Sequence, residues 1–204
     1  MKLFTLYNNN ILTDNNGNGR SLIDNAVPII ATSPDTAVIK DGRPFFIPDF
    51  TMKCVYTPSF VIRISRLGHS ISERFAHRYY DSITAGVRFV AMDLLESASV
   101  AGLPWSFSTG FDGSASIGQF VDACNVDTMR LSLSEDGNEV LAVSGQGLAK
   151  TIDWAVAHIS QFYTLRQGDL IFSCLGVDGF REAVVDSHIS GTINQRQVLA
   201  FNVK

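Results

Sequence analysis

The sequence predicts an α+β fold in which β structure dominates. Three observations carry that prediction. Short β-branched runs recur along the chain, turn residues close most of them, and only two stretches space their apolar residues as a helix does. With 204 residues, 46% of them apolar and 18% charged, the chain fits one domain spanning 1–204. A core of that size needs no cross-links.

Taken in order, residues Asn8 to Asn18 are rich in Asn and Gly, which tolerate positive φ, and predict turns or a mobile loop. Ile29 to Lys40 mixes β-branched residues with the turn Ser33-Pro34-Asp35, and Phe45-Phe46-Ile47-Pro48 precedes a break at Asp49. Phe60 to Ser65 reads as a short strand, followed by a turn at Leu67-Gly68-His69. Ser70 or Ser72 is placed to cap a helix, with Glu73 near its positive end and Phe75, Ala76, Tyr79 and Tyr80 along one face. Ile83 to Leu95 reads as one long strand. Leu131 to Leu133 alternates and meets Glu135-Asp136-Gly137-Asn138, a hairpin turn. A second helix is expected over Ile152 to Phe162, with Ile152, Val156, Ile159 and Phe162 in one stripe. Gly168-Asp169 opens a strand from Leu170 to Cys174, and Val198 to Val203 closes the fold.

The net charge of −4, with no basic block, argues against nucleic acid and against an anionic membrane surface. No apolar run approaches the ~20 residues of a membrane helix, and the N-terminal run is too short for a signal peptide, so the cytoplasm is the expected compartment. Cys54, Cys124 and Cys174 are odd in number and far apart, as reduced and mostly buried cysteines would be. Gly145-Gln146-Gly147-Leu148-Ala149-Lys150-Thr151 lacks the spacing of a phosphate loop and reads as a turn entering a helix. His69, His77, His158 and His188 show no metal-ligand spacing; His77 and His158 read as surface or hydrogen-bonded side chains on helices.

One set of segments says more. Ile71-Ser72-Glu73-Arg74-Phe75-Ala76-His77-Arg78-Tyr79-Tyr80-Asp81 leads into Phe89-Val90-Ala91-Met92-Asp93-Leu94. Gly102-Leu103-Pro104-Trp105 and Phe111-Asp112-Gly113-Ser114-Ala115-Ser116-Ile117-Gly118 follow, then Phe162-Tyr163-Thr164-Leu165-Arg166-Gln167-Gly168-Asp169-Leu170-Ile171. In this order and spacing they resemble the fumarylacetoacetate hydrolase family, in the flavour of its short bacterial 2-hydroxyhepta-2,4-diene-1,7-dioate isomerase-like members. The resemblance covers roughly residues 33 to 175 and leaves 1–32 as a divergent N-terminal segment.

The resemblance implies a mixed β-roll with a few short helices, like the fumarylacetoacetase C-terminal fold, and a homodimer. It also implies a cleft where magnesium or another divalent cation polarises an oxo-acid or diketone, helped by a lysine, with a His–Glu pair activating water. A hard cation needs carboxylate oxygens. The family's two metal glutamates fall on Thr57 and Ser59, its metal aspartate on Arg88 and its lysine on Thr109. Its Ala-Arg-Asp segment reads Ala91-Met92-Asp93, and its Thr-Gly-Thr-Pro segment Ser173-Cys174-Leu175-Gly176. No Glu precedes Glu73 and no His precedes His69, so the upstream glutamates and His–Glu pair are absent whatever gaps are inserted.

Arg88 is permanently charged. At a metal site it would repel a dication by several kcal/mol, whereas a carboxylate would suit it. The expectations are therefore no cofactor, no metal ligands and no catalytic residues. The degenerate site comprises Thr57, Ser59, Arg88, Thr109 and Asp112, with a small carboxylate as its ligand. The chain reads as a family member without metal-dependent catalysis, in a binding or interaction role. Two alternatives stay open. One is a metal-independent enzyme using Arg88 as electrophile, with Asp112 or Cys174 as its only acid or base; the other is a surviving hydrolase, isomerase or decarboxylase. Trp105, Asp112 and Asp93 also fit purely structural roles.

Overall fold

The computed structural model of the chain describes residues 1–7, 11–13, 19–21, 29–174 and 180–204. The elements among them are β1 (Leu3–Tyr7), β2 (Ile11–Thr13), β3 (Gly19–Ser21), β4 (Ile29–Ser33), β5 (Val38–Ile39), β6 (Cys54–Ile64) and β7 (Tyr80–Ala91). Helices α1 (Met92–Val100) and α2 (Ser106–Thr109) precede β8 (Ala115–Ile117), β9 (Val121–Asp122), β10 (Arg130–Glu135) and β11 (Asn138–Ser144). Helix α3 (Leu148–Phe162) then leads to β12 (Leu170–Cys174), β13 (Arg181–Glu182), β14 (His188–Ile193) and β15 (Arg196–Asn202).

The fold is the expected mixed, β-dominated one. A large sheet runs β4-β1-β12-β6-β7-β8-β5, with β13 on β6 and β9 on β7; a four-stranded sheet runs β11-β10-β14-β15; β2 and β3 pair separately. β1 lies parallel to β12 and antiparallel to β4. At its centre, β6 and β7 pair over eleven residues of β6, with Thr57 opposite Arg88 and Ser59 opposite Gly86. Successive side chains of a strand point to opposite faces. On one face of β6 and β7, Phe60, Ile62, Ile83, Val87 and Phe89 join the main core with the second sheet and α3. On the other, Val61 packs with Leu3, Ala115, Leu170 and Phe172 in a smaller cluster. Burial on both faces explains why these strands read as near-continuous apolar runs.

The structure corrects several element boundaries. The strand seen from Phe60 begins six residues earlier, at Cys54. The long strand ends at Ala91, and Met92 to Leu95 open α1 instead. A short apolar run cannot choose between strand and helix by periodicity alone. Here Asp93 decides, since its carboxylate accepts from Thr51 Oγ1 at 2.5 Å and the Met52 N–H at 2.9 Å, and ties the start of α1 to the chain before β6. The helix expected after Ser72 is a 3-10 helix, Glu73–Arg78, without a side-chain cap. The segment leading into it is held by α3: the Ser70 N–H donates to Ser160 O and the Ile71 N–H to Ser160 Oγ, both at 2.8 Å.

Other expectations hold. Asp136 and Gly137 take positive φ (50° and 81°) in the β10–β11 turn. Gly147, at φ 78°, opens α3 as a plain turn. Within α3, Ile152, Val156 and Ile159 are buried as one stripe; Phe162, its expected fourth member, is 63% exposed and meets His158 edge-on. Of the loop Asn8 to Asn18, only Ile11–Thr13 is described, as β2; the rest lies outside the described residues. No described helix is long and apolar enough to cross a membrane.

Candidate functional site

Cross-strand pairing brings together what the sequence separates. Thr57 and Arg88 stand opposite each other on β6 and β7, and Ser59 follows two residues along on the same face. All three are buried, and Arg88 has no exposed surface. Its Nη2 donates to Ser33 Oγ on β4 at 3.0 Å and, by a very short bond, to the carbonyl oxygen of Thr109 in α2. That carbonyl also accepts from Ser114 Oγ at 3.2 Å. The guanidinium lies 5.4 Å from the centroid of the Phe172 ring on β12. Its Nε and Nη1 are buried without hydrogen-bond partners.

Gly86 makes this arrangement possible. A Cβ there would come within 2.5 Å of Val61 Cγ2 and 3.2 Å of the Phe172 ring, so the glycine lets both side chains pack tightly against β7. Thr5 lies next to Phe172 on β1, and its Oγ1 is likewise buried without a partner. Tyr7, further along the same face of β1, meets Trp105 edge-on at 6.5 Å and Phe180 at 6.4 Å. Trp105 immediately precedes α2, whose last residue is Thr109, so an aromatic rim adjoins the cluster.

Of the predicted site residues, the structure gathers Thr57, Ser59, Arg88 and Thr109. Asp112 is not among them: it is exposed and accepts from Thr36 Oγ1 at 2.5 Å. Asp93 serves structurally, as its type suggested, and the Thr51 and Met52 hydrogen bonds hold it below the ordinary carboxylate range. Burial, aided by Asp93, pushes the Cys54 thiol up to about 12; Cys54 lies on the face opposite Thr57. Both described cysteines are free thiols, Cys54 buried and Cys124 exposed, so the expected burial holds for the first and not for the second. The Cys174 side chain, Leu175 and Gly176 lie outside the described residues.

Sequence reasoning missed Ser33, Thr5 and Phe172, which reach the site from three other strands. Only Gly86 left a signal, as a glycine inside a strand pattern. A separate cleft of about 730 Å³, lined in part by Lys40, Arg63, Ile117, Phe120 and Leu170, opens six residues along β6 from Thr57 and holds none of the predicted residues. The two hydroxyls and one fixed cation do not fit a divalent ion. Among the described residues, no three His, Cys, Asp or Glu side chains gather as metal donors.

Comparison with known proteins places this geometry in context. Residues 11–180 match the family profile described as fumarylacetoacetate (FAA) hydrolase C-terminal. The mitochondrial oxaloacetate tautomerase FAHD1 of Mus musculus is 24% identical over 183 residues, which are 87% of this chain and 81% of that protein. Fumarylpyruvate hydrolase from Pseudomonas aeruginosa, solved with Mn²⁺ and pyruvate, superimposes with a TM-score of 0.82 at 22% identity, covering 100% of this chain and 89% of its own. The 2-hydroxyhepta-2,4-diene-1,7-dioate isomerase from Mycobacterium marinum gives 0.77 at 21% identity, with 99% and 73% covered. The expectation of no cofactor for this chain is corrected by that comparison: a fumarylpyruvate hydrolase of the same fold was solved with Mn²⁺.

Proposed function

This chain belongs to the fumarylacetoacetate hydrolase family, and we propose that it binds a small oxo-acid in the family cleft without the hydrolase, isomerase or tautomerase chemistry of its relatives. One observation carries the reading: a fully buried guanidinium, Arg88, faces Thr57 with no carboxylate beside it among the described residues. A guanidinium cannot give up its proton near neutrality, and the hydroxyls around it are too weak to serve as general bases alone. The acid nearest in sequence to α2, Asp112, is engaged with Thr36 at the surface. The oxo-acid class is supported by two relatives, one named for oxaloacetate and one solved with pyruvate. Burial of a lone positive charge favours an anionic ligand in either case.

The deciding measurement is turnover by the purified full chain. Oxaloacetate tautomerisation and decarboxylation, and fumarylpyruvate hydrolysis, are followed with Mn²⁺, with Mg²⁺ and with EDTA. The expected outcome is no rate above the uncatalysed reaction in any arm. Turnover that EDTA abolishes overturns the proposal in favour of a metal-dependent enzyme. Turnover indifferent to EDTA overturns it in favour of metal-independent chemistry at Arg88.

A further inference from the structure

Arg88 heads the largest fully buried side chains of the described residues. An Arg in that position is ordinarily paired, because an uncompensated buried charge is costly. Here the compensation is partial: one hydroxyl, one carbonyl and one aromatic face. The two hydrogens of Nη2 are both committed, to Ser33 and Thr109. Each edge on which a guanidinium grips a carboxylate with two parallel bonds includes Nη2. The structure therefore removes the two-point fork and leaves separate N–H donors at Nε and Nη1. Next to the Phe172 ring on which the guanidinium lies, Thr5 Oγ1 is a third buried polar atom without a partner.

We infer that this cluster is an anion site in which a small oxyanion, such as the carboxylate of an organic acid, is held by single contacts at Arg88 Nε or Nη1, with the Thr5 hydroxyl as an additional donor. The inference deepens the proposed function, since it rests on the family cleft still taking a ligand. Single contacts discriminate weakly between oxyanion shapes, so organic carboxylates and inorganic phosphate or sulfate share the necessary chemistry. Because the guanidinium is closed to solvent, entry requires a local opening, and association is slower than the diffusional range.

The test is thermal unfolding and calorimetric titration of the full chain with pyruvate, fumarate, phosphate and sulfate, at ionic strength matched with chloride. Saturable stabilisation by the carboxylates is expected, with none from chloride; carboxylates matched by phosphate and sulfate define a general oxyanion site, and carboxylates alone an organic-acid site. No stabilisation by any of them overturns the inference, and stabilisation by phosphate or sulfate alone supports the oxyanion site while overturning an organic acid as its ligand. Arg88→Lys keeps the charge but loses the Nε and Nη1 geometry, and affinity is expected to fall about tenfold or more. Thr57→Asp leaves Arg88 intact and supplies a carboxylate from its cross-strand neighbour; it is expected to melt higher and lose the anion-induced shift. An undiminished shift in Thr57→Asp overturns the assignment even if Arg88 variants fail to fold. Turnover measured on the same samples separates the two ideas: activity sinks the proposed function, and absence of binding sinks the anion site.

Discussion

At the scale of single residues, Arg88 and Gly86 act as a pair. The arginine reaches the Phe172 ring because the residue two positions before it, on the same face of β7, has no side chain. An added methyl group would sit 2.5 Å from Val61 Cγ2, and Val61 is fully buried and cannot swing away. Gly86→Ala is therefore expected to lower stability by about 1–3 kcal/mol through overpacking. Urea unfolding checks this; a midpoint equal to that of the native chain would show that the site relaxes freely. Neither effect was legible in the sequence, which showed a glycine in a strand but not which neighbours its missing Cβ would meet.

At the scale of elements, the junction between β7 and α1 shows how a few polar bonds settle what propensity leaves open. Asp93 is tied to Thr51 and Met52, which positions α1 against the start of β6. The same bonds, the Thr51 hydroxyl first, lower the pKa of Asp93 in the folded chain. A carboxylate lowered in this way contributes stability above its unfolded pKa and loses it as pH falls through the folded value. Thr51→Val is thus expected to be less stable than the native chain near neutrality, with the gap closing in acid. Unfolding midpoints measured across the acidic range test the sign, and a gap that widens in acid refutes it. Asp153 has the opposite sense. Burial raises its pKa, although Tyr80 donates to it at 3.1 Å, so it disfavours the fold as pH rises through the ordinary carboxylate range.

At the scale of the whole molecule, two sheets and α3 bury nearly all the apolar residues that the strand patterns marked. Several large ones stay at the surface, among them Met52 at 94% and Val100 at 92% exposed, with Phe50 and Leu103 more than half exposed. Single exposed apolar residues are ordinary, and only a contiguous patch marks an association surface, so the dimer expectation rests on the family resemblance. The chain is expected to run as a homodimer, and light scattering coupled to size exclusion checks this; a monomeric mass at micromolar concentration refutes it.

Some properties of this protein are fixed by covalent inventory, and those the sequence determined by itself. No Glu precedes Glu73 and no His precedes His69 in the sequence, and a guanidinium is a fixed cation in kind. The β-dominated class followed from periodicity, which is local. Only the tertiary structure decided that Thr57 faces Arg88, that Asp112 stands apart at the surface, and which guanidinium N–H groups remain unpaired. Those outcomes depend on residues from β1, β4, α2 and β12, and no local pattern along the chain encodes which of them meet.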